Sequence, residues 1–332
     1  MTCPVSSNLA VVYCGANFGA PVTASSGTLL RAICIGEVLW DVFGDQEHLG
    51  GAPFNFAAHL KKLGHQVEFV SAIGNDILGQ RVLDRMREIG LSTRYLHRDP
   101  AHATGTATVK INAAGQPQFT IHRPSAYDFP QLSEADFSHL FAEAVDWIYF
   151  GTLHQMSPAA KNLTSRLLDS SGAAHKFYDL NLRQNSYDAG LIRELMARAS
   201  IMKMNDEEVV TIAKLFGYAY ESLEKFCRDY TQKFGWEAVC VTRGSKGCSL
   251  LIGGQFVEMP GYAIQVADAV GAGDAFAAGF VHGFSNHWPP AQVADFANRV
   301  GALIASRHGA IPQWTLAEVE ALNRQSQQQE SA

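Results

Sequence analysis

A three-layer α/β/α fold, with a mostly parallel central sheet and a small β-strand lid, is what this sequence predicts. Three observations carry that reading. From residue 31 onward, short β-branched runs alternate with amphipathic segments. Such β-helix-β units favour a parallel sheet covered on both faces. One stretch, 104–124, breaks the rhythm with two strand-like runs around Ala114-Gly115. No linker composition and no repeat of 20–50 residues divides the chain.

The elements follow in order. "AICIGEV" (32–38) reads as a strand and "PFNFAAHLKKLG" (53–64) as a helix. Pro53 suits the first turn of that helix and Gly64 its C′ position. "QVEFVSAIG" (66–74) is a strand, and 76–90 a helix that places Val82, Met86 and Ile89 on one face before Gly90 stops it. The 104–124 hairpin is foreign to a plain βα series and is read as a lid, with 42–49 as a shorter second excursion. Helices are expected at 133–144, 158–169, 189–199, 206–217, 221–234 and about 290–307. Strands are expected at 146–153, 175–182, 200–205, 237–244, 247–259 and 263–267. The main domain spans 31–323, between an extension at 1–30 and a tail at 324–332.

Composition narrows the function classes. With 47% hydrophobic and 17% charged residues, the chain can bury a large core. A formal charge of −6 and the lack of a basic run argue against nucleic acid. No run of 18 apolar residues suggests a membrane span. The six cysteines form no CxxC pair, so they read as small core residues of a reducing, cytoplasmic protein. Residues 1–30 hold no Lys, Arg, Asp or Glu, and so lack the positive start of a signal peptide. They are expected to be a poorly ordered extension.

In parallel sheets, ligands bind at the C-terminal ends of the strands. The polar residues expected there are Asp41, Asn181, Arg183, Asn205, Glu208, Thr242 to Gly244, and the loop 268–274. That loop opens "DAVGAGDAFAAGF" (268–280). It is not a dinucleotide fingerprint, because Phe276 takes the place of the third glycine. No GxxxxGK[ST], GxSxG, HExxH or EF-hand pattern occurs. Two readings of the loop stay open. It is a tightly packed helix start, with Asp274 favoured by the dipole. Or Gly271, Ala272 and Gly273 form an anion hole, with Asp274 as a base kept ionised by that dipole. The second suits phosphoryl transfer, which depends on positioning and charge neutralisation. "GGAPFNFAAHLKKLG" (50–64) offers two glycines for close backbone approach and Asn55 as a mixed donor and acceptor, a polarity that a sugar needs.

Glycines before a Pro-x-Asn helix start, together with a late DxxGAGD, resemble the ribokinase-like (phosphofructokinase-B) family of sugar kinases over roughly 31–320. Ala269 departs from the Thr, Ser or Pro more usual there. The resemblance implies a ribokinase-like fold, with Asp274 as catalytic base and Gly271, Ala272 and Gly273 as its anion hole. It implies sugar contacts from Asp41, Gly50, Gly51 and Asn55, with Arg123 from the lid and Arg183 from "DLNLR" beside them. Asn205 and Glu208 match an N-x-x-E motif tied to Mg²⁺ and phosphates, Glu208 acting through water; an N-cap with its capping-box partner is the alternative. Thr242 and Gly244 match a nucleotide-phosphate contact. Asn298 matches either an adenine-pocket position or an exposed polar residue. Asp268, with backbone near Gly309, resembles the monovalent-cation (K⁺) site of some members.

The implied reaction moves the γ-phosphoryl of ATP to a primary hydroxyl of a small sugar. "FTIHRPSAYDF" (119–129) and "DLNLR" are most like the fructokinase branch. A 2-keto-3-deoxygluconate kinase, in which an Arg of this stretch would meet a carboxylate, is the alternative, then a ribokinase or nucleoside kinase. A non-catalytic sugar sensor and a dehydrogenase are the readings from other classes. An open lid edge is compatible with a homodimer through the lid.

Overall fold

The computed structural model describes residues 28–322, apart from 45, 112–116, 173 and 184. The expected extension up to residue 27, the expected tail at 324–332 and the Ala114-Gly115 turn lie outside the described residues.

The first βα units are β1 (Arg31–Ile35), β2 (Leu39–Phe43), β3 (Gln46–Gly50), α1 (Ala52–Lys62), β4 (Gln66–Gly74) and α2 (Ile77–Glu88). Then come β5 (Leu96–Asp99), β6 (Gly105–Ile111), β7 (Pro117–Ile121), α3 (Glu134–Leu140), β8 (Trp147–Gly151), α4 (Pro158–Ser170) and β9 (His175–Asp179). The second half runs α5 (Ala189–Arg198), β10 (Ile201–Asn205), α6 (Asp206–Leu215), α7 (Leu223–Phe234), β11 (Ala238–Thr242), β12 (Cys248–Ile252) and β13 (Gln255–Met259). Helices α8 (Ala272–Ser285), α9 (Pro290–Ala305) and α10 (Leu316–Ala321) close the described chain.

Nine strands form one sheet in the order β13-β12-β11-β10-β9-β8-β1-β4-β5. From β11 to β5 every pairing is parallel, while β12 and β13 are antiparallel. The period of two sorts side chains to the faces. On β1, Ala32 and Cys34 enter the core under α1, α8 and α9, while Ile33 and Ile35 enter the core under α4 to α7. Trp147 and Tyr149 against Ile148 and Phe150 on β8 repeat the division. Cys34, Cys227, Cys240 and Cys248 are buried thiols, as expected of core residues.

The helix signals hold where the chain is local. Asp76 caps α2 by accepting from Gly79 N–H, and Gly64 and Gly90 follow their helices with positive φ. Four expectations are corrected. The 42–49 excursion is not a minor appendage: β2 and β3 pair antiparallel, and the lid is a four-stranded sheet in the order β3-β2-β6-β7 to which both hairpins contribute equally. "QEHLG" hid this, because its residues are mostly exposed and charged or polar rather than β-branched. Residues 263–267 form no strand; Ala267 and Asp268 N–H donate to the Ala305 carbonyl at the end of α9 instead of to a strand. Helix α3 ends at Leu140 rather than 144, and β5 and α10 are additional elements.

Candidate active site

Helix α8 starts where the main sheet ends and the lid begins. Its N-cap is Gly271 at φ 80°, and no side chain caps that end. A Cβ there would stand 2.6 Å from the Ala310 carbonyl oxygen, so glycine is required for both conformation and space. The Ala272 N–H donates to the Ala269 carbonyl at 3.3 Å, and an uncapped helix start of this kind favours anions.

Asp274 lies in the first turn, half-buried on the crevice floor. Asn55, in the first turn of α1, donates from Nδ2 to Asp274 Oδ2 at 2.8 Å. The two sequence motifs, 219 residues apart, therefore meet directly. The expectation that the dipole keeps this acid ionised is corrected. Burial pushes Asp274 up to about 7, the Asp179 charge pushes in the same direction, and Lys203, Asn55 and Arg183 only partly oppose them.

Gly51 (φ 110°) turns the chain from β3 into α1, and a Cβ there would meet the Glu37 carbonyl at 2.5 Å. Asp41 does not lie at an end of the main sheet, as its expected place had it. It sits in the middle of lid strand β2, opposite His48 of β3. Gly50 leaves room for it, since a Cβ there would be 3.1 Å from Asp41 Oδ2. Burial raises Asp41 to about 6, against the pull of Arg183 and His48, and Asp268 raises it further. Asp41, Arg183, Asp268 and Asp274 therefore share one electrostatic space.

Other expected residues have identifiable partners. Asn205 caps α6 and Glu208 completes the capping box: Glu208 N–H donates to Asn205 Oδ1, and Asn205 N–H to Glu208 Oε2, each at 2.8 Å. Glu208 Oε1 accepts from Leu182 N–H at 2.7 Å, which ties the Arg183 loop to α6. Thr242 lies beside Asn205 in the β10–β11 register, and Gly244 begins the exposed turn that follows. Asn298 is buried, not exposed, with Nδ2 3.4 Å from the Met259 and Pro260 carbonyls. Asp268 accepts from Val270 N–H at 3.0 Å and from Gly309 N–H at 3.1 Å, so the pair expected to come together does. Arg243 pairs with Glu258 at 2.8 Å. Arg123 is committed: its Nε and Nη2 grip Asp128 at 3.2 and 2.5 Å, and Nη1 donates to the Leu153 carbonyl at 2.9 Å.

Three buried groups escaped the sequence reading. Glu37 is 5% exposed, is pushed up to about 7 by burial, and its Oε2 has no partner among the described residues. Asp179 and Lys203 form an ion pair at 2.8 Å beneath the anion-hole loop. The GE before Asp41 and the D of "DLNLR" were visible, but only the fold shows that their side chains are enclosed.

An uncapped helix start with an acid in its first turn fits a phosphotransferase with an alcohol group as acceptor, the class that the family match gives. Residues 31–316 match the family model described as pfkB family carbohydrate kinase, and the chain belongs to that family. It is similar to a fructokinase of Escherichia coli, 28% identical over 284 residues, covering 79% of this chain and 87% of the relative. It is also similar to Fructokinase-2 of Oryza sativa subsp. japonica, 25% identical over 279 residues, covering 79% and 81%. In structure it resembles a fructokinase with bound ATP from Xylella fastidiosa, with TM-score 0.78, 24% identity and coverage of 88% and 97%. That likeness supports the ribokinase-like fold. Among the described residues no helix is long and apolar enough to cross a membrane, and no group of three or more His, Cys, Asp and Glu is placed to hold a metal.

Proposed function

We propose that the protein transfers the γ-phosphoryl of ATP to a primary hydroxyl of D-fructose. The observation that carries the reading is the Asn55–Asp274 contact at the start of α8. Asn55 occupies Asp274 Oδ2, which leaves Oδ1 to accept the sugar hydroxyl proton. As that proton leaves, the hydroxyl oxygen bonds to the γ-phosphorus, and the bond from the γ-phosphorus to the β–γ bridging oxygen breaks to release ADP. Backbone N–H groups of Gly271 and Gly273 stabilise the charge on the phosphoryl oxygens, and that of Ala272 does so in exchange for its 3.3 Å bond to the Ala269 carbonyl. Asp41 holds sugar hydroxyls from the lid, with Gly50, Gly51 and Arg183 around them. The buried Asn55 Oδ1, which has no partner among the described residues, offers an acceptor to another hydroxyl. Thr242, Gly244, Asn205 and Asn298 form the nucleotide side.

Both Glu208 oxygens already accept backbone N–H bonds, so the donor set fits a hydrated Mg²⁺ held through water better than direct coordination. Mg²⁺ would supply charge neutralisation on the phosphates. A monovalent cation would be held near Asp268 and the Gly309 backbone. The engagement of Arg123 by Asp128 and the buried acid Glu37 support a neutral sugar over a sugar acid, whose carboxylate would have to pair with Arg183 without the lid arginine. The names of the relatives support fructose. A homodimer through the lid and a cytoplasmic location belong to the same proposal.

A coupled ADP-release screen over fructose, ketodeoxygluconate, ribose, tagatose and nucleosides tests this. Fructose is expected to give the highest kcat/KM. Preference for ketodeoxygluconate overturns the choice of sugar, and turnover of none overturns the kinase reading.

A further inference from the structure

A buried ion pair costs desolvation and is often replaceable by apolar residues without loss of stability. Asp179 and Lys203 form such a pair, with side chains 0% and 8% exposed. They face each other across the parallel β9–β10 register at the end of the sheet that carries the site. Lys203 Nζ donates to Asp179 Oδ1 at 2.9 Å and to Oδ2 at 2.8 Å. Tyr149 Oη, from β8, donates to Oδ2 at 2.9 Å, and its ring stacks on Phe56, the neighbour of Asn55 in α1, at 4.1 Å. The ammonium is therefore held in place by two strands. It lies 3.7 Å from where a Cβ on Gly273 would be, under the anion-hole loop and next to Asp274 in sequence. Asp179 takes two of its three N–H bonds.

We propose that Asp179 and Lys203 are a positioning pair beneath the anion hole that sets two opposing charges at a fixed place against Asp274, the lysine favouring its ionised form and Asp179 its protonated form. The inference rests on the reading of Asp274 as the base. The groups facing Asp274 come from six segments: Asn55 on α1, Glu37 between β1 and β2, Tyr149 on β8, Asp179 on β9, Arg183 after β9, and Lys203 on β10. Among them Asp179 and Lys203 act on Asp274 with opposite signs. A pair that only staples β9 to β10 would not give opposite effects on removal of its two halves.

The test is a pH titration of the Asp274 carboxyl by ¹³C NMR in the full chain labelled at aspartate. The signal is assigned by its loss in Asp274→Asn. Lys203→Met is expected to move the midpoint up by about one pH unit, and Asp179→Asn down by about one. The double variant is expected to return close to the wild type. Where Lys203→Met alone does not fold, a downward shift in Asp179→Asn that the double variant reverses supports the proposal. Shifts in the same direction, or none in Asp179→Asn, overturn it. The titration needs no turnover, so it separates this pair from the kinase reading. Opposite shifts alongside normal turnover in Asp274→Asn would sink the base assignment and leave the pair standing. A dead Asp274→Asn with unmoved titrations would sink the pair alone.

Discussion

The two sides of the crevice hold their carboxylates differently. On the floor, Asp274 is fixed by Asn55 and set among Asp179, Lys203 and Tyr149, on strands packed between two large cores. On the lid, Asp41 sits on β2 between Trp40, which reaches the large core, and the rest of the strand; among the described residues Leu39 joins a small cluster with Ala107, Tyr127 and Leu153, with Ile121 packed against it. Both acids are raised by burial, to about 7 and about 6. On the proposed function, the floor holds the proton-transfer group still, which is what chemistry needs. Among the described residues the lid sheet has a small apolar cluster of its own, which on the proposed function suits a part that selects and encloses a ligand.

Four measurements would break or sharpen that contrast. Asp274→Asn removes the base from the floor and is expected to cut kcat by about 10²–10⁴-fold with sugar affinity retained. Steady-state kinetics together with sugar titration check it, and near-normal kcat would sink the mechanism. Asp41→Ala acts on the lid and is expected to raise the sugar KM by about 10–100-fold, the worth of hydrogen bonds to a charged group, with a smaller change in kcat. Equal effects of the two substitutions on kcat would erase the distinction. Because a base must be deprotonated and Asp274 is raised to about 7, kcat/KM is expected to fall as pH drops below about 7. The slope should approach tenfold per pH unit in a pH–rate profile, and a flat profile down to pH 5 would contradict it. The smallest effect is expected from Gly105→Ala. A Cβ there would stand 2.6 Å from the buried Tyr127 ring and 3.0 Å from the Val38 carbonyl. Overpacking should cost about 1–3 kcal/mol, read as a lowered Tm, while turnover at saturating sugar persists.

What the sequence made legible was local. The caps and stops of α1 and α2, the β-helix-β rhythm, and the loop from Gly271 to Asp274 all depend on residues within one or two turns of each other. The Asn205–Glu208 capping box is equally local, and both its expected hydrogen bonds are present. The β2–β3 half of the lid was not legible, because exposed lid strands need no apolar alternation on their outer face. Nor was the fate of Arg123: its partner Asp128 is five residues away, but the Leu153 carbonyl that completes the grip is brought by another turn.

By itself, then, the sequence determined the layered α/β architecture, the family resemblance and the identity of the acid at the head of α8, since each rests on short-range pattern. Only the tertiary structure decided that Asn55 holds that acid, that Asp179 and Lys203 lie beneath the glycine loop, and that Asp41 stands on a lid strand within reach of the Arg183 and Asp268 charges. The physical reason is that strand register and burial are set by packing between distant segments. Burial in turn decides whether an aspartate is an ordinary surface charge or a group held near neutrality.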